Sequence, residues 1–130
     1  MTPLEIVQAA TRAFNAGNLE EALAYYDDAV VQRSPATGEQ PGFKIREGKA
    51  ALRQVLEADA SKGVQFHHLH YICEGNIVAA EGINRGILNG VAVEQPVAIF
   101  YEIRDDKIAQ VTVYYDRLVL SKIAPRKNSA

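Results

Sequence analysis

The stretch PLEIVQAATRAFNAGNLEEALAYYDDAVVQRSP, residues 3–35, decides the fold of this chain. Its first half places apolar residues at the three- and four-residue spacing of one helical face: Leu4, Val7, Ala10 and Phe14. Gly17 predicts the end of this helix, because glycine adopts the left-handed closing conformation without the steric cost of a β-carbon. A second helix and an extended run that opens at Ala29 complete a hook. Such a hook needs a sheet to cover its apolar side.

The second predicted helix starts after a tight corner at residues 15–18. Asn18 and Glu21 match a capping box, in which side chains bond to the free backbone amides of the first turn. The apolar side of this helix is formed by Leu19, Ala22, Leu23 and Tyr26. Asp27 and Asp28 are predicted to end the helix before the extended run.

A third helix is predicted beyond a loop at residues 34–42, which are rich in turn-forming residues. This helix follows Gly48 and is closed by Gly63. Its apolar side is formed by Ala51, Leu52, Val55 and Leu56. The charged residues Glu57 and Asp59 are interpreted as solvated, as are Asp105 and Asp106 further along the chain.

From Val64 onward the hydrophobic period changes from helical to alternating, which predicts strands. These strands occupy residues 64–73, 77–88, 91–104 and 107–118, and short polar turns separate them. Three helices followed by an antiparallel meander predict an α+β fold with the helices on one face of the sheet.

Alternation along each strand assigns its side chains to the inner or the outer face of the sheet. The third strand of the meander has an apolar inner set: Val93, Val97, Ile99, Tyr101 and Ile103. The fourth strand turns Val111, Val113 and Tyr115 inward, and Thr112, Tyr114 and Asp116 outward. On the second strand the inner set is small, and it consists of Ala80, Gly82, Asn84 and Gly86. Small side chains on a concave face predict a cavity.

The first strand of the meander is assigned by the same alternation. Its inward set is His67, Leu69, Tyr71 and Cys73, and its outward histidines are His68 and His70. His68 and His70 share one face, but no third ligand lies near them, so we predict no metal site. Cys73 is interpreted as a small buried hydrophobic residue.

Length and composition narrow the class of protein. The 130 residues fit a single domain spanning 1–130, with residues 121–130 as a flexible tail. The net charge of −2 argues against a nucleic-acid partner, which needs a basic face. One cysteine rules out an internal disulfide, and no apolar run reaches the length of a membrane span. Without a signal peptide at the N-terminus, we predict a cytoplasmic protein that does not contact membranes.

Several motifs of this chain resemble those of the ketosteroid isomerases and SnoaL-like polyketide cyclases, which belong to the superfamily named after nuclear transport factor two. The motifs are FNAGNL at 14–19, YYDDAV at 25–30, GKAAL at 48–52, GNIV at 75–78 and DDKI at 105–108. The resemblance covers about residues 3–120. It implies a cone-shaped curved antiparallel sheet packed against three N-terminal helices, a cystatin-like α+β barrel. It also implies a homodimer, and the outer-face residues Ile83, Ile87 and Phe100 favour pairing through the sheet.

The resemblance does not extend to ketosteroid isomerase chemistry. Those enzymes use a carboxylate base together with a tyrosine and a protonated aspartate that donate to an enolate oxygen. Matching the hook places these roles on Ser34, Ala10 and Ile99, none of which can perform them. Limonene epoxide hydrolases, of the same superfamily, use two aspartates and an arginine around an activating water. Of these three residues, only the last aspartate has a counterpart in this chain, which is Asp116.

The SnoaL-like cyclases place a catalytic aspartate after two aromatic residues at the end of the last strand. The sequence YYDRLVL at 114–120 matches this motif, so the resemblance implies Asp116 as the acid/base. Strict alternation turns Asp116 away from the cavity, although a β-bulge would reverse this. His67 is a second catalytic candidate. The predicted ligand-binding residues are Asn84, Tyr101, Tyr115, Ser34 and Ile99.

Three hypotheses of function follow. The first is a small cofactor-free enzyme that performs acid/base chemistry of the cyclase, isomerase, dehydratase or hydrolase type on a small apolar oxygenated molecule. The second is a non-catalytic domain of the same fold that binds a small ligand. The third is a structural dimerisation module, which a cavity filled by side chains would favour.

Overall fold

The computed structural model describes residues 1–36 and 41–116. The helices are α1 (Pro3–Asn15), α2 (Leu19–Ala24) and α3 (Lys49–Ser61). The strands are β1 (Tyr26–Pro35), β2 (Phe43–Glu47), β3 (Gln65–Glu74), β4 (Ile77–Leu88), β5 (Val91–Arg104) and β6 (Lys107–Tyr114). The predicted residues 117–118 of the last strand and the tail at 121–130 lie outside the described residues.

The strands form one curved sheet in the order β2-β1-β6-β5-β4-β3, and the sheet is not closed. The predicted α+β class is therefore confirmed. One neighbouring pair, β1 and β6, is parallel, and the other four are antiparallel. The sheet is mixed because β1 arrives from the helical hook and aligns with β6, whereas β3 to β6 form the predicted antiparallel meander.

The hook is present in the structure, but the cap of its second helix and the end of that helix differ from the prediction. Gly17 ends the first helix at a φ of +82°, as predicted. Asn18 precedes α2, but its side chain makes no capping bond to the backbone, so the predicted capping box is wrong. The capping box of this region is at the start of α1 instead, where the Glu5 amide donates to the Thr2 hydroxyl over 3.1 Å.

The transition from α2 to β1 comes earlier than the sequence pattern predicts. The helix ends at Ala24 and the strand begins at Tyr26, so Asp27 belongs to the strand and not to a helix end. Asp27 Oδ1 accepts a hydrogen bond from the Ala29 amide over 2.8 Å, which fixes a local turn of the backbone in β1. The register between β1 and β6 shifts in this part of the strand.

Two-residue turns join the strands of the meander where the sequence predicts them. Asn89 and Gly90 have φ values of 53° and 79°, and Asp105 and Asp106 have 50° and 60°. Positive φ at both central residues gives the type I′ twist that suits paired strands. Asparagine, aspartate and glycine tolerate this conformation best, so these dipeptides determine the register of the hairpins.

The inner face of β5 is buried as predicted, at Val93, Val97, Ile99, Tyr101 and Ile103. Helix α1 packs on this part of the sheet through Ile6, Val7 and Ala10. A second cluster packs α3 against α1, α2 and β1. Beside it, the Phe14 ring stacks on that of Phe66 with centroids 4.6 Å apart. Both clusters contain fully buried side chains, such as Ile6 in the first and Leu23 in the second.

The assignment of faces on β3 is wrong in part, because a register shift between His68 and His70 interrupts the alternation. Tyr71 packs against the core and His70 is exposed, both as predicted. His67 and Cys73 are exposed. Leu69, also predicted to point inward, is 58% exposed. The half-buried histidine is His68, whose Nδ1 lies 2.9 Å from the Tyr71 hydroxyl. Burial, with a smaller contribution from the neighbouring His67, lowers the pKa of His68.

The outer face of the sheet carries an aromatic cluster. The Tyr114 ring meets Phe43 and Phe100 edge-on, at centroid distances of 5.4 and 5.8 Å. Phe100 is 46% exposed and Ile87 is 58% exposed, and Ile83 is half-buried. The homodimer through this face stays a prediction, which light scattering at micromolar concentration tests: a dimer is expected, and a monomer would contradict it.

None of the helices within residues 1–36 and 41–116 is both long enough and apolar enough to cross a bilayer.

Candidate functional site

A cavity of about 440 Å³ lies between α3 and the inner face of the sheet. Most of its wall is apolar and includes Leu52, Val55, Leu56, Val93, Val111 and Val113. Cavities of this size hold small organic molecules in many proteins. Asn84 and Gly86 line it, as the small inner set of β4 predicts. Ala80 instead belongs to the core under α1, and Gly82 lies against the backbone of β3.

All five residues predicted from the sequence to bind a ligand line this cavity: Asn84, Tyr101, Tyr115, Ser34 and Ile99. They come from strands β1, β4 and β5 and from the residue that follows β6. The alternation on β5 and β6 explains this convergence, because it turns one side chain in two towards the helices. Their role in binding stays a prediction.

The two predicted catalytic residues do not line the cavity. Asp116 is exposed beyond the end of β6, and its backbone carbonyl accepts a hydrogen bond from Gln95 Nε2 over 3.4 Å. His67 is exposed on β3, which makes no contact with the cavity at that position. Arg117, which follows Asp116 in the motif at 114–120, lies outside the described residues. Across residues 1–36 and 41–116, no three histidine, cysteine, aspartate or glutamate side chains form a candidate metal site.

Within residues 1–36 and 41–116, the carboxylate that lines the cavity is Asp59, near the end of α3. Burial raises the pKa of Asp59 from its ordinary value of 3.8 to about 6, and the charges of Lys62 and Arg46 oppose this only partly. In the part of the chain that the structure describes, its side chain accepts no hydrogen bond. An unbonded, half-buried carboxylate favours its protonated form.

The interpretation of Asp59 as a solvated charge is therefore wrong. A signal for its position exists in the sequence. Asp59 follows Val55 by four residues and Leu56 by three, so it lies on the apolar face of α3. A carboxylate on an apolar helical face points towards whatever that face covers, which here is the cavity.

Arg46 on β2 brings a cation to the same cavity. Its Nη1 donates to Gln32 Oε1 over 3.0 Å and to the Ser34 hydroxyl over 3.1 Å. Gln32 and Ser34 are both buried on β1, which pairs with β2. Arg46 was not predicted as a site residue because residues 43–47 were not recognised as a strand, although Phe43 and Ile45 alternate with polar residues.

Three tyrosines line the cavity and remain protonated at neutral pH. Burial raises the pKa of Tyr26 to about 12. Burial also raises the pKa of Tyr101, with smaller effects of Tyr26 and Tyr71. The pKa of Tyr115 is raised by burial and by the nearby charge of Asp59. Such phenols can donate hydrogen bonds to an oxygen atom of a ligand.

Two amide side chains face each other across β4 and β5, where Asn84 is paired with Gln95. Both line the cavity, and Asn84 Oδ1 and Gln95 Oε1 are buried with no hydrogen-bond partner among the residues that the structure describes. Gln95 Nε2 is occupied by the carbonyls of Pro96 and Asp116. Unsatisfied buried acceptors carry a free-energy cost, so they are common at sites that bind another molecule.

The sequence model of the SnoaL-like domain family matches residues 7–111 of the chain. No curated protein is significantly similar to it in sequence. The match includes the cavity walls contributed by α3, β4 and β5.

Many solved structures share the fold. One is a provisionally assigned polyketide cyclase from Xanthomonas campestris pv. campestris, with 25% identity, a TM-score of 0.74 and coverage of 93% of both chains. IdmH from Streptomyces antibioticus, another provisionally assigned polyketide cyclase, has 19% identity, a TM-score of 0.77 and coverage of 95% of this chain and 99% of its own. TerC, co-crystallised with polyporic acid, has 17% identity, a TM-score of 0.79 and coverage of 92% and 95%. At these identities the likeness establishes the NTF2-like fold.

Proposed function

Since this chain belongs to the SnoaL-like domain family, we propose that it is a cofactor-free enzyme that transfers a proton on a small apolar molecule bearing a carbonyl oxygen. The molecule occupies the cavity between α3 and the sheet, and Asp59 is the acid/base. The similarity to IdmH and to the Xanthomonas protein supports this reaction type, because cyclisation by an aldol step begins with removal of a proton next to a carbonyl.

One observation carries the proposal: the Asp59 carboxyl lines an apolar cavity, and burial raises its pKa to about 6. A carboxylate with an ordinary pKa is a weak base towards carbon. Raising the pKa to just below neutrality keeps the group ionised at pH 7 while it increases the affinity of the group for a proton.

The surrounding groups complete a chemically consistent site. Asp59 takes a proton from the carbon next to the carbonyl, the electron pair forms a carbon–carbon double bond, and the carbonyl oxygen becomes an enolate. The neutral phenol of Tyr26 or Tyr115 donates a hydrogen bond to that oxygen, and the charge of Arg46 stabilises it. Protonated Asp59 then returns the proton to the product.

Hydrogen exchange at a simple ketone tests this step without knowledge of the natural substrate. The protein is incubated with 2-tetralone in deuterated buffer at pH 7, and loss of the signals of the protons next to the carbonyl is followed by proton NMR. The wild type is expected to accelerate exchange over buffer. Asp59→Asn is expected to lower the acceleration by about a hundredfold or more, because general-base catalysis contributes at least that much.

Asp106→Asn is the matched control, because it makes the same chemical change in an exposed turn where asparagine is well tolerated. It is expected to leave exchange unchanged. Asp116→Asn separates the two catalytic assignments: loss of exchange in this variant, with Asp59→Asn active, would refute the role of Asp59. Binding of ketones with no acceleration by the wild type would favour a non-catalytic ligand-binding domain.

A further inference from the structure

We propose that the ligand of the cavity carries an anionic oxygen, as in a carboxylate or an acidic enol, and that this oxygen pairs with Arg46. The inference rests on the proposed function, because it assumes that the cavity takes a small molecule. It adds the chemical class of that molecule: an apolar body with one acidic group.

The first support is the way in which Arg46 is held. It is half-buried, and its Nη1 donates to two neutral buried side chains, Gln32 and Ser34. Among the described residues no carboxylate forms an ion pair with it. Arg53, Arg85 and Arg104 differ in this respect, because each lies beside a glutamate.

The second support is the cost of such an arrangement. A cation that is partly removed from water without a carboxylate in ion-pair contact destabilises the protein. Asp59, which lines the same cavity, interacts electrostatically with Arg46 but forms no ion pair with it. Neutral acceptors fix the direction of the guanidinium but do not neutralise its charge. Nη2 and Nε keep donors that no described residue uses, and a guanidinium edge matches the two oxygen atoms of a carboxylate. The site is thus preorganised for an anion.

The third support is the balance of charge around the cavity. Among the described residues, Arg46, Lys62 and Arg85 line it, against one carboxylate, Asp59. Arg85 is neutralised in part by Glu94, whose Oε1 lies 3.7 Å from Arg85 Nε. The chain as a whole has a net charge of −2, so the cationic lining is a local feature and not a consequence of composition. A concave surface lined by cations raises the local concentration of anions.

Matched pairs of probes test the inference in the intact protein. Benzoate, 2-naphthoate and 9-anthracenecarboxylate are compared with their primary carboxamides by calorimetric titration at low ionic strength. Each pair has nearly the same shape, so the ratio of affinities isolates the charge. The wild type is expected to bind at least one carboxylate about tenfold or more tightly than its amide, as charge-assisted hydrogen bonds imply.

Arg46→Gln is expected to bring that ratio close to one. Arg33→Gln is the control, because Arg33 lies next to Gln32 in β1 but on the outer face, where its Nε donates to the Thr112 hydroxyl over 3.0 Å. This variant is expected to keep the wild-type ratio. Thermal unfolding of both variants verifies that they fold. The comparison of carboxylates with amides in the wild type tests the inference even if a variant does not fold.

Equal affinities for carboxylates and amides in the wild type would overturn the inference, as would an unchanged ratio in Arg46→Gln or no binding of any carboxylate. Failure of the proposed function has a different signature. If carboxylates bind through Arg46 but Asp59→Asn exchanges 2-tetralone as fast as the wild type, the anion site stands and Asp59 is not the base. If exchange depends on Asp59 but the probes show no preference, only the inference about charge fails.

Discussion

Asp59→Asn is expected to make the folded protein more stable above pH 6, by on the order of 2 kcal/mol, while it removes catalysis. Burial raises the pKa of Asp59 from 3.8 to about 6. The folded state therefore holds this proton more tightly than the unfolded state does. The stability that the proton confers is present below about pH 4 and is lost as the pH rises through 6. Each pKa unit corresponds to ~1.4 kcal/mol, and partial exposure of the group reduces the total.

The measurement is urea denaturation of wild type and variant between pH 4 and pH 8. The difference in unfolding free energy between the two proteins is expected to be small at pH 4, to grow between pH 4 and 6, and to level off above. Asp106→Asn, in an exposed turn, is expected to show no such pH-dependent difference. A variant that is less stable than the wild type at pH 7 would show that ionised Asp59 stabilises the fold, contrary to the pKa argument. Functional groups often lower the stability of the fold, so their removal commonly increases stability while it abolishes activity.

Gly82→Ala is expected to destabilise the protein by about 3 kcal/mol or more, because there is no space for a methyl group. A β-carbon on Gly82 would lie 2.2 Å from the backbone carbonyl oxygen of His67 and 3.0 Å from the His68 Cα. These atoms belong to β3 and cannot rotate away as a side chain would. The two strands must separate near the register shift between His68 and His70, and backbone hydrogen bonds are lost.

Gly86→Ala provides the control for this effect in the same strand. Its added carbon would meet mainly the Val64 side chain, at 3.0 Å, which can move by a few tenths of an ångström. The expected cost is below about 1.5 kcal/mol, as for a mild overpacking. Both variants are compared with the wild type by urea denaturation. Equal stability of Gly82→Ala and wild type would contradict the close approach of β3 and β4.

Much of the fold could be predicted from the sequence because its signals are local. The period of α1, the closing glycine at position 17 and the positive-φ dipeptides at 89–90 and 105–106 each depend on a few neighbouring residues. The inner face of β5 followed from alternation alone. Strand β2 was missed because it is short and mostly exposed, and its pairing with residues 31–35 of β1 joins segments that no local pattern relates.

The site could be predicted only in part. Its strand residues, such as Asn84 and Tyr101, followed from alternation. Asp59 required the recognition that a charged residue on the apolar face of α3 would lie over a hollow and not over a filled core. Arg46 required a strand that the pattern did not reveal. The register shift in β3 exchanged the positions expected for His67 and His68, and a single extra residue of this kind leaves no clear signature in one sequence.

The most direct test is a titration of the Asp59 carboxyl carbon by carbon-13 NMR, with its resonance assigned by its absence from the spectrum of Asp59→Asn. A midpoint at about pH 6 is expected, because the group is half-buried and accepts no hydrogen bond from the described residues. A midpoint near 4 would mean that water solvates the carboxylate, and the cavity would then contain no base suited to the proposed proton transfer.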